Sequence, residues 1–225
     1  MKNLLIYISP EKKFNAENEV YIKIQILNSF KYWERDDVLL VTNFPYKYLE
    51  IESTVVPDDL YSDISCCVIK INTILYLLEK RILNELTWFH DTEAWQVAPL
   101  EVKLEKDLGL TDYGWSQKWN GGSMFFKPES KDIFKLWKEK IEELGKDDER
   151  TMMELTKNNV MGINSRIQRI NIAYNIGKRH VEDNLKKAGL PRVLHFHPFR
   201  ENLLKKFDHL LPENLKKLMY AHSGK

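Results

Sequence analysis

A chain of 225 residues is long enough for one substantial domain with a small appendage. Its 43% hydrophobic and 30% charged residues exclude a disordered chain, and 34 Lys and Arg against 33 Asp and Glu exclude a dedicated nucleic-acid binder, which carries a strongly basic domain. The near-zero balance hides a gradient: residues 178–225 hold eleven Lys and Arg against five Asp and Glu, so a basic tail follows an acidic body.

Residues 3–9 read as a buried first strand, an apolar run (Leu4-Leu5-Ile6-Tyr7-Ile8) ended by Pro10. The run is too short for a membrane span and lacks a small-residue cleavage site. Residues 16–33 place Val20, Ile24, Leu27, Phe30 and Trp33 at helical spacing. Alternation at Val20, Ile22, Ile24 and Ile26 also fits a strand; length and Glu, Lys and Gln content select the helix. Residues 37–42 form a second strand, followed by a loop holding Asn43. Residues 52–56 form a third, stopped by Pro57. Residues 65–81 form a helix on Val68, Ile71, Leu75 and Leu78. It begins at the only two cysteines, Cys66 and Cys67, whose adjacency strains a disulfide. A reducing compartment, the cytoplasm, is expected.

Residues 85–90 (ELTWFH) form a strand running straight into Asp91. Residues 123–126 form a strand after a glycine-containing turn, 131–144 a helix closed by Gly145, and 150–157 a helix opened by Asp147 and Asp148. Residues 167–174 and 193–197 read as late strands, and 203 onward as basic helix or tail. The expected fold class is α/β: one domain over residues 1–200, with a mixed, mostly parallel central sheet flanked by helices, and a basic helical extension over 201–225. That extension is either a solvated tail or a peripheral contact for acidic lipid headgroups or a neighbouring domain.

Glycine-rich nucleotide loops of the G-x-G-x-x-G and G-x-x-x-x-G-K-[ST] types are absent, as are CxxC, HExxH and G-x-S-x-G. Dinucleotide dehydrogenases, P-loop NTPases and serine hydrolases are thereby disfavoured. The most informative segment is His90-Asp91-Thr92-Glu93-Ala94-Trp95-Gln96, where an apolar strand ends in two carboxylates one residue apart. In open α/β sheets ligands bind outside the carboxyl ends of strands, and such a pair can share a hard divalent cation with a bound diphosphate. A strand leaving through an acidic turn gives the same letters. The pair in Val193-Leu194-His195-Phe196-His197 fits a catalytic metal better than a structural zinc, because no cysteine ligand set accompanies it. A lone histidine there is otherwise an ordinary structural one.

Trp119-Asn120-Gly121-Gly122 precedes an apolar strand. Paired glycines permit unusual backbone angles and close approach of a ligand, while an ordinary turn needs no more. Asp147-Asp148-Glu149 at a helix start is explained by capping and the helix dipole, and also places a carboxylate where a base could act. Trp95, Trp115 and Trp119 are candidates to stack on sugars.

The order of these pieces resembles the GT-A class of nucleotide-sugar glycosyltransferases, in particular small enzymes with an H-D-x-D-A-x-Q signature such as the glycosyltransferase domain of large algal viruses. The resemblance runs from the first strand to about Pro198. It implies a GT-A-like fold and a metal-dependent transfer from a nucleoside-diphosphate sugar, UDP-sugar favoured, to the hydroxyl of a glycan or other acceptor. It makes Asp91 and Glu93 ligands of Mn²⁺ or Mg²⁺, with Asp91 near the donor ribose and His195 as third ligand. Lys70 becomes a donor contact, Ser9 and Asn43 hold the base, and Asn120 and Gly121 meet the donor sugar. Asp148 or Glu149 faces the acceptor, and in an inverting enzyme Asp148 is the base; a free carboxylate there favours inversion. Two positions depart from the pattern: Glu93 replaces the commoner Asp, and Asp148-Glu149 replaces a D-Q pair of some retaining relatives. The alternatives are a sugar nucleotidyltransferase, which lacks its glycine-rich loop at Ser9-Pro10-Glu11, and a non-catalytic carbohydrate-binding module on the same sheet.

Overall fold

The computed structural model describes residues 1–63, 66–112, 119–177 and 186–195, together with 213, 216 and 217. Trp115, His197 and nearly all of the 201–225 extension lie outside these residues, so the expectations placed on them are not described further. Eleven short strands and four helices alternate in the described chain: β1 (Lys2–Tyr7), α1 (Ala16–Ser29), β2 (Val38–Thr42), β3 (Lys47–Tyr48), β4 (Ile51–Glu52), β5 (Thr54–Val55), α2 (Cys66–Glu79), β6 (Thr87–His90), β7 (Ala94–Gln96), β8 (Leu108–Asp112), β9 (Trp119–Phe126), α3 (Lys131–Leu144), α4 (Asp148–Lys157), β10 (Ile167–Arg169) and β11 (Val193–His195).

Seven strands make the main sheet in the order β10-β8-β9-β6-β1-β2-β5. All its neighbours pair parallel except β9, which runs antiparallel to both β6 and β8. The chain builds outward from β1 through β2 to β5, then crosses back over α2 to β6 on the other side of β1. The carboxyl ends of β1 and β6 therefore flank a topological switch point, where open α/β sheets form their ligand crevice.

Both faces of the sheet are covered, so its strands are apolar on both sides rather than alternating. Leu4, Phe89, Met124 and Phe126 pack with α2, α3 and α4 in one core, where Trp137 is 1% exposed. Leu5 and Leu40 pack on α1, while Trp88 and Phe125 meet β7, β11 and residues around Tyr174. Helix α1 is capped by the Asn15 side chain, which accepts from Asn18 N. Its buried stripe Ile22, Gln25, Ile26, Ser29 follows helical spacing, and Val20 and Leu27 are exposed; the strand alternative is thereby set aside. α1 ends at Ser29 rather than at position 33.

Three expectations are corrected. Residues 52–56 are not one strand: β4 pairs with β3 in a small hairpin, and only β5 joins the main sheet. The stretch 167–174 is strand only over β10; the Asn171 side chain accepts from Ala173 N and turns Ile172–Tyr174 into a 3-10 helix. The strand before α3 begins at Trp119 instead of Ser123. Among the described residues no helix is long and apolar enough to cross a membrane.

Candidate active site

The two carboxylates leave the sheet at the switch point. Asp91 directly follows β6, its N–H donating to Gly122 O at 2.9 Å, and a tight turn (Ala94 N to Asp91 O, 2.9 Å) carries Glu93 into β7. β7 pairs antiparallel with β11 so that His195 stands opposite Ala94. This register brings a histidine a hundred positions away beside the carboxylates. His195 Nε2 lies 3.7 Å from Asp91 Oδ2 and 3.8 Å from Glu93 Oε1. One donor atom from each of the three falls within 4.8 Å of the others.

The turn's backbone is tied down by buried side chains. Gln25 of α1 donates through Nε2 to Thr92 O at 2.6 Å and to Ala94 O at 3.0 Å. Asn28 donates to Gln96 O at 3.0 Å, and Trp33 Nε1 to Gln96 Oε1 at 2.6 Å. His90 sets Nδ1 3.0 Å from Asp91 O and Nε2 3.0 Å from Asn3 Oδ1, its neutral ring donating to one of the two, and stacks on Trp88 with centroids 4.0 Å apart. Burial pushes the His90 imidazole down to about 4, so it is neutral near pH 7 and orients rather than charges the turn.

Beneath the carboxylates lies Lys70, on the second turn of α2 and 6% exposed. Its Nζ is 2.9 Å from Asp148 Oδ2 and 3.5 Å from Asp91 Oδ1, and donates to Gly121 O at 3.0 Å. Burial opposes its charge, but the Asp148 and Asp91 carboxylates overcome that and hold its pKa well above the ordinary lysine value. Burial pushes the Asp91 carboxyl up, and Lys70 pulls in the other direction. His195 is moved up from its usual value: burial opposes the charged ring, and Glu93 and Asp91 outweigh it.

β9 supplies the floor. Leu110 pairs with Met124 and Thr111 with Asn120, so residues 121–123 bulge away from β8 while His90 still pairs with Ser123. A Cβ at Gly122 would stand 2.0 Å from His195 Cε1 and 2.9 Å from Asp91 Oδ2; one at Gly121 would stand 2.4 Å from Asp148 Oδ2. Neither glycine has a positive φ. The glycine pair is thus required by close approach of the protein's own site residues, and not by unusual backbone angles.

Of the residues singled out in the sequence, Lys70, Asp91, Glu93, Asn120, Gly121, Asp148, Glu149 and His195 converge here. Glu149 Oε1 approaches Gly121 N at 3.4 Å, and Asn120 Oδ1 accepts from Gly122 N at 2.7 Å. Ser9 and Asn43 form their own pair at the carboxyl ends of β1 and β2. Asn43 accepts from Ser9 N at 2.9 Å and donates to Ser9 O at 2.8 Å and Asp58 Oδ1 at 2.9 Å. Two premises are corrected. Asp148 is not a free carboxylate, being 1% exposed and paired with Lys70. Trp95 and Trp119 are 3% and 8% exposed, so they are core and hydrogen-bonding residues, Trp119 Nε1 donating to Thr156 Oγ1 at 2.9 Å. The sequence reading missed Gln25 and Asn175, for which no local pattern exists; the second glycine beside Gly121 was the one available sign of Gly122.

No protein-family model matches the chain, and no curated protein matches it by sequence. Solved structures do. A glycosyltransferase involved in glycosylation of the major capsid of PBCV-1 superposes with a TM-score of 0.59 at 12% identity, over 93% of this chain and 98% of that one. The galactosyltransferase LgtC, solved with donor and acceptor sugar analogues, matches with a TM-score of 0.59 at 14% identity, over 97% and 100%. The glycosyltransferase GlyE of Streptococcus pneumoniae TIGR4 matches with the same TM-score at 10% identity, over 98% of this chain and 62% of its own. The fold is the one these GT-A-type glycosyltransferases share.

Proposed function

We propose that the chain is a metal-dependent glycosyltransferase that takes a sugar from a nucleoside diphosphate, UDP favoured, and passes it to an acceptor hydroxyl. The observation that carries this reading is the convergence of Asp91, Glu93 and His195 at the switch point, with donor atoms within 4.8 Å of one another. The set fits a divalent cation: two carboxylates and one imidazole are hard-to-intermediate ligands, and the mixture favours Mn²⁺ over Mg²⁺. Three protein ligands leave coordination positions for a diphosphate. A cation so held supplies charge neutralisation of the departing diphosphate.

The rest is assigned to the chain's own groups. Lys70 holds Asp91 and Asp148 in one arrangement and adds a fixed positive charge near the leaving group. Gly121 and Gly122 let Asp148, Lys70, His195 and Asp91 pack directly against the floor's backbone, with Asn120 beside them for the donor sugar. Ser9 and Asn43 close the base end, where Asn43 fixes the backbone after β1. Asp148, buried and ion-paired, is poorly placed to accept a proton from an incoming hydroxyl. Glu149, partly exposed on the same helical turn, is the acceptor-facing carboxylate, and inversion would have to draw its base from there.

The test is release of nucleoside diphosphate from a panel of UDP and GDP sugars with Mn²⁺ present. Expected is slow hydrolysis of at least one donor, stopped by EDTA and by Asp91→Asn. Binding with no nucleotide release from any donor identifies a non-catalytic carbohydrate module instead.

A further inference from the structure

Asn175 carries a hydrogen-bond pattern that fixes the chemistry of its neighbour. Residues 173–177 run beside β11: Arg192 N donates to Ala173 O at 2.9 Å, Ile176 N to Val193 O at 2.9 Å, and His195 N to Ile176 O at 2.8 Å. That pairing sets Asn175, 1% exposed, against the His195 ring, while its side chain reaches across to β8 and β9. The contacts form a chain whose polarity is anchored on a backbone amide. Gly122 N–H is unambiguously a donor, and it meets Asn120 Oδ1 at 2.7 Å. That oxygen can only accept, so the Asn175 atom 2.7 Å from it is the amide nitrogen, which also lies 3.0 Å from Thr111 Oγ1. The opposite end of the same amide is therefore the carbonyl oxygen, and it stands 3.1 Å from His195 Nδ1. An acceptor at that place keeps a hydrogen on Nδ1. In the neutral ring the lone pair then belongs to Nε2, the nitrogen facing Asp91 and Glu93.

We propose that Asn175 is the positioning residue that selects the His195 tautomer for cation coordination, acting through the chain Gly122, Asn120, Asn175, His195. The proposal rests on reading Asp91, Glu93 and His195 as the cation site. The physical logic is that of outer-shell partners, which orient a ligand ring and fix which nitrogen is left to bind; losing one typically costs about 10–100-fold in metal affinity.

The test compares Asn175→Leu, which removes both ends of the amide, with Asn175→Asp, which keeps the acceptor facing His195 Nδ1. Both lose the donor to Asn120, and Asn175→Asp also sets an oxygen against Asn120 Oδ1, so stability is not the readout. Two other measurements separate them. Long-range ¹H–¹⁵N spectra of the metal-free proteins, taken where the ring is neutral, should show the Nδ1–H form in wild type and Asn175→Asp but a mixture or the Nε2–H form in Asn175→Leu. Mn²⁺ titration followed by electron paramagnetic resonance should show the Leu variant about 10–100-fold weaker and the Asp variant near wild type. A folded Leu variant with wild-type tautomer and Mn²⁺ affinity overturns the proposal. If the Leu variant does not fold, an Asp variant that loses both the Nδ1–H form and Mn²⁺ affinity overturns it equally. A wild-type protein that binds no Mn²⁺ defeats the cation reading alone, and the tautomer comparison still decides the role of Asn175.

Discussion

Among the described residues, two places set one side-chain cation between two aspartates, and they differ in everything else. Arg166 bridges Asp107, at 2.6 Å, and Asp132 at the start of α3, with the three side chains 32%, 26% and 63% exposed. It also donates to Glu129 O at 2.7 Å, stitching together the chain before β8, before β10 and before α3. Lys70 bridges Asp148 and Asp91, whose side chains are 1% and 27% exposed, and is itself 8% exposed. The first cluster is a surface staple in high dielectric, where ion pairs are screened and add little. The second takes charges out of water, which is costly enough that an apolar replacement is often neutral or better. A fold needing only stability has little reason to keep three charges there; the proposed donor site would supply one.

That contrast is sharpest at Lys70. Lys70→Met leaves Asp148 buried without its partner, and stability should fall by about 3–5 kcal/mol, read as a lower denaturation midpoint with unchanged slope. The double variant Lys70→Met/Asp148→Leu should recover most of that stability and still bind donor poorly. A double variant with wild-type donor binding would reduce the Lys70 cluster to a structural device like the Arg166 one.

The next effect belongs to Gly122→Ala, whose added methyl meets His195 and Asp91. Overpacking of this kind costs about 1–3 kcal/mol, and here it should also weaken Mn²⁺ binding, because the atoms displaced are the ligands. Thermal melts and Mn²⁺ titration of the same sample separate the two consequences; a variant that loses stability but binds Mn²⁺ normally would detach the bulge from the site.

At the surface staple, Arg166→Met should cost about 1 kcal/mol or less, shrinking further in 1 M salt, with donor binding untouched. The smallest effect is acid dependence at Asp132. The Arg166 hydrogen bond holds its carboxyl below the ordinary 3.8. The unfolded chain therefore binds the proton first, and the stabilisation is complete above 3.8 and disappears as pH falls through the lowered folded value. The stability difference between wild type and Asp132→Asn should thus close on acidification, and a difference that widens in acid would contradict the assignment.

How much of this could be read in the letters depends on the range of the cause. Asp91 and Glu93 were legible because a strand and its exit turn are adjacent in sequence. His195 was legible for the same reason at the end of β11. Lys70, Ser9 and Asn43 came only through the family resemblance, since nothing around them marks a site. β8 stayed hidden because Leu-Gly-Leu-Thr-Asp reads as turn chemistry, and the first half of β9 because its glycines read as a break. Those glycines answer to His195 and Asp148, dozens of residues away, so no local pattern explains them. The 167–174 error has the opposite origin: Ile170, Ile172 and Tyr174 fall at every second position like a strand, and one local bond from Asn171 turns the stretch aside. Gln25 and Asn175 were invisible because a buried amide announces itself only through partners that the fold supplies.

The most direct test of the central claim is titration calorimetry of nucleoside-diphosphate sugars with and without Mn²⁺, on wild type and Asp91→Asn. The expected result is saturable donor binding by wild type only when Mn²⁺ is present, lost in Asp91→Asn at an unchanged melting profile. Donor binding of equal strength without Mn²⁺, or retained in Asp91→Asn, would contradict the assignment of Asp91, Glu93 and His195 as the centre of the site.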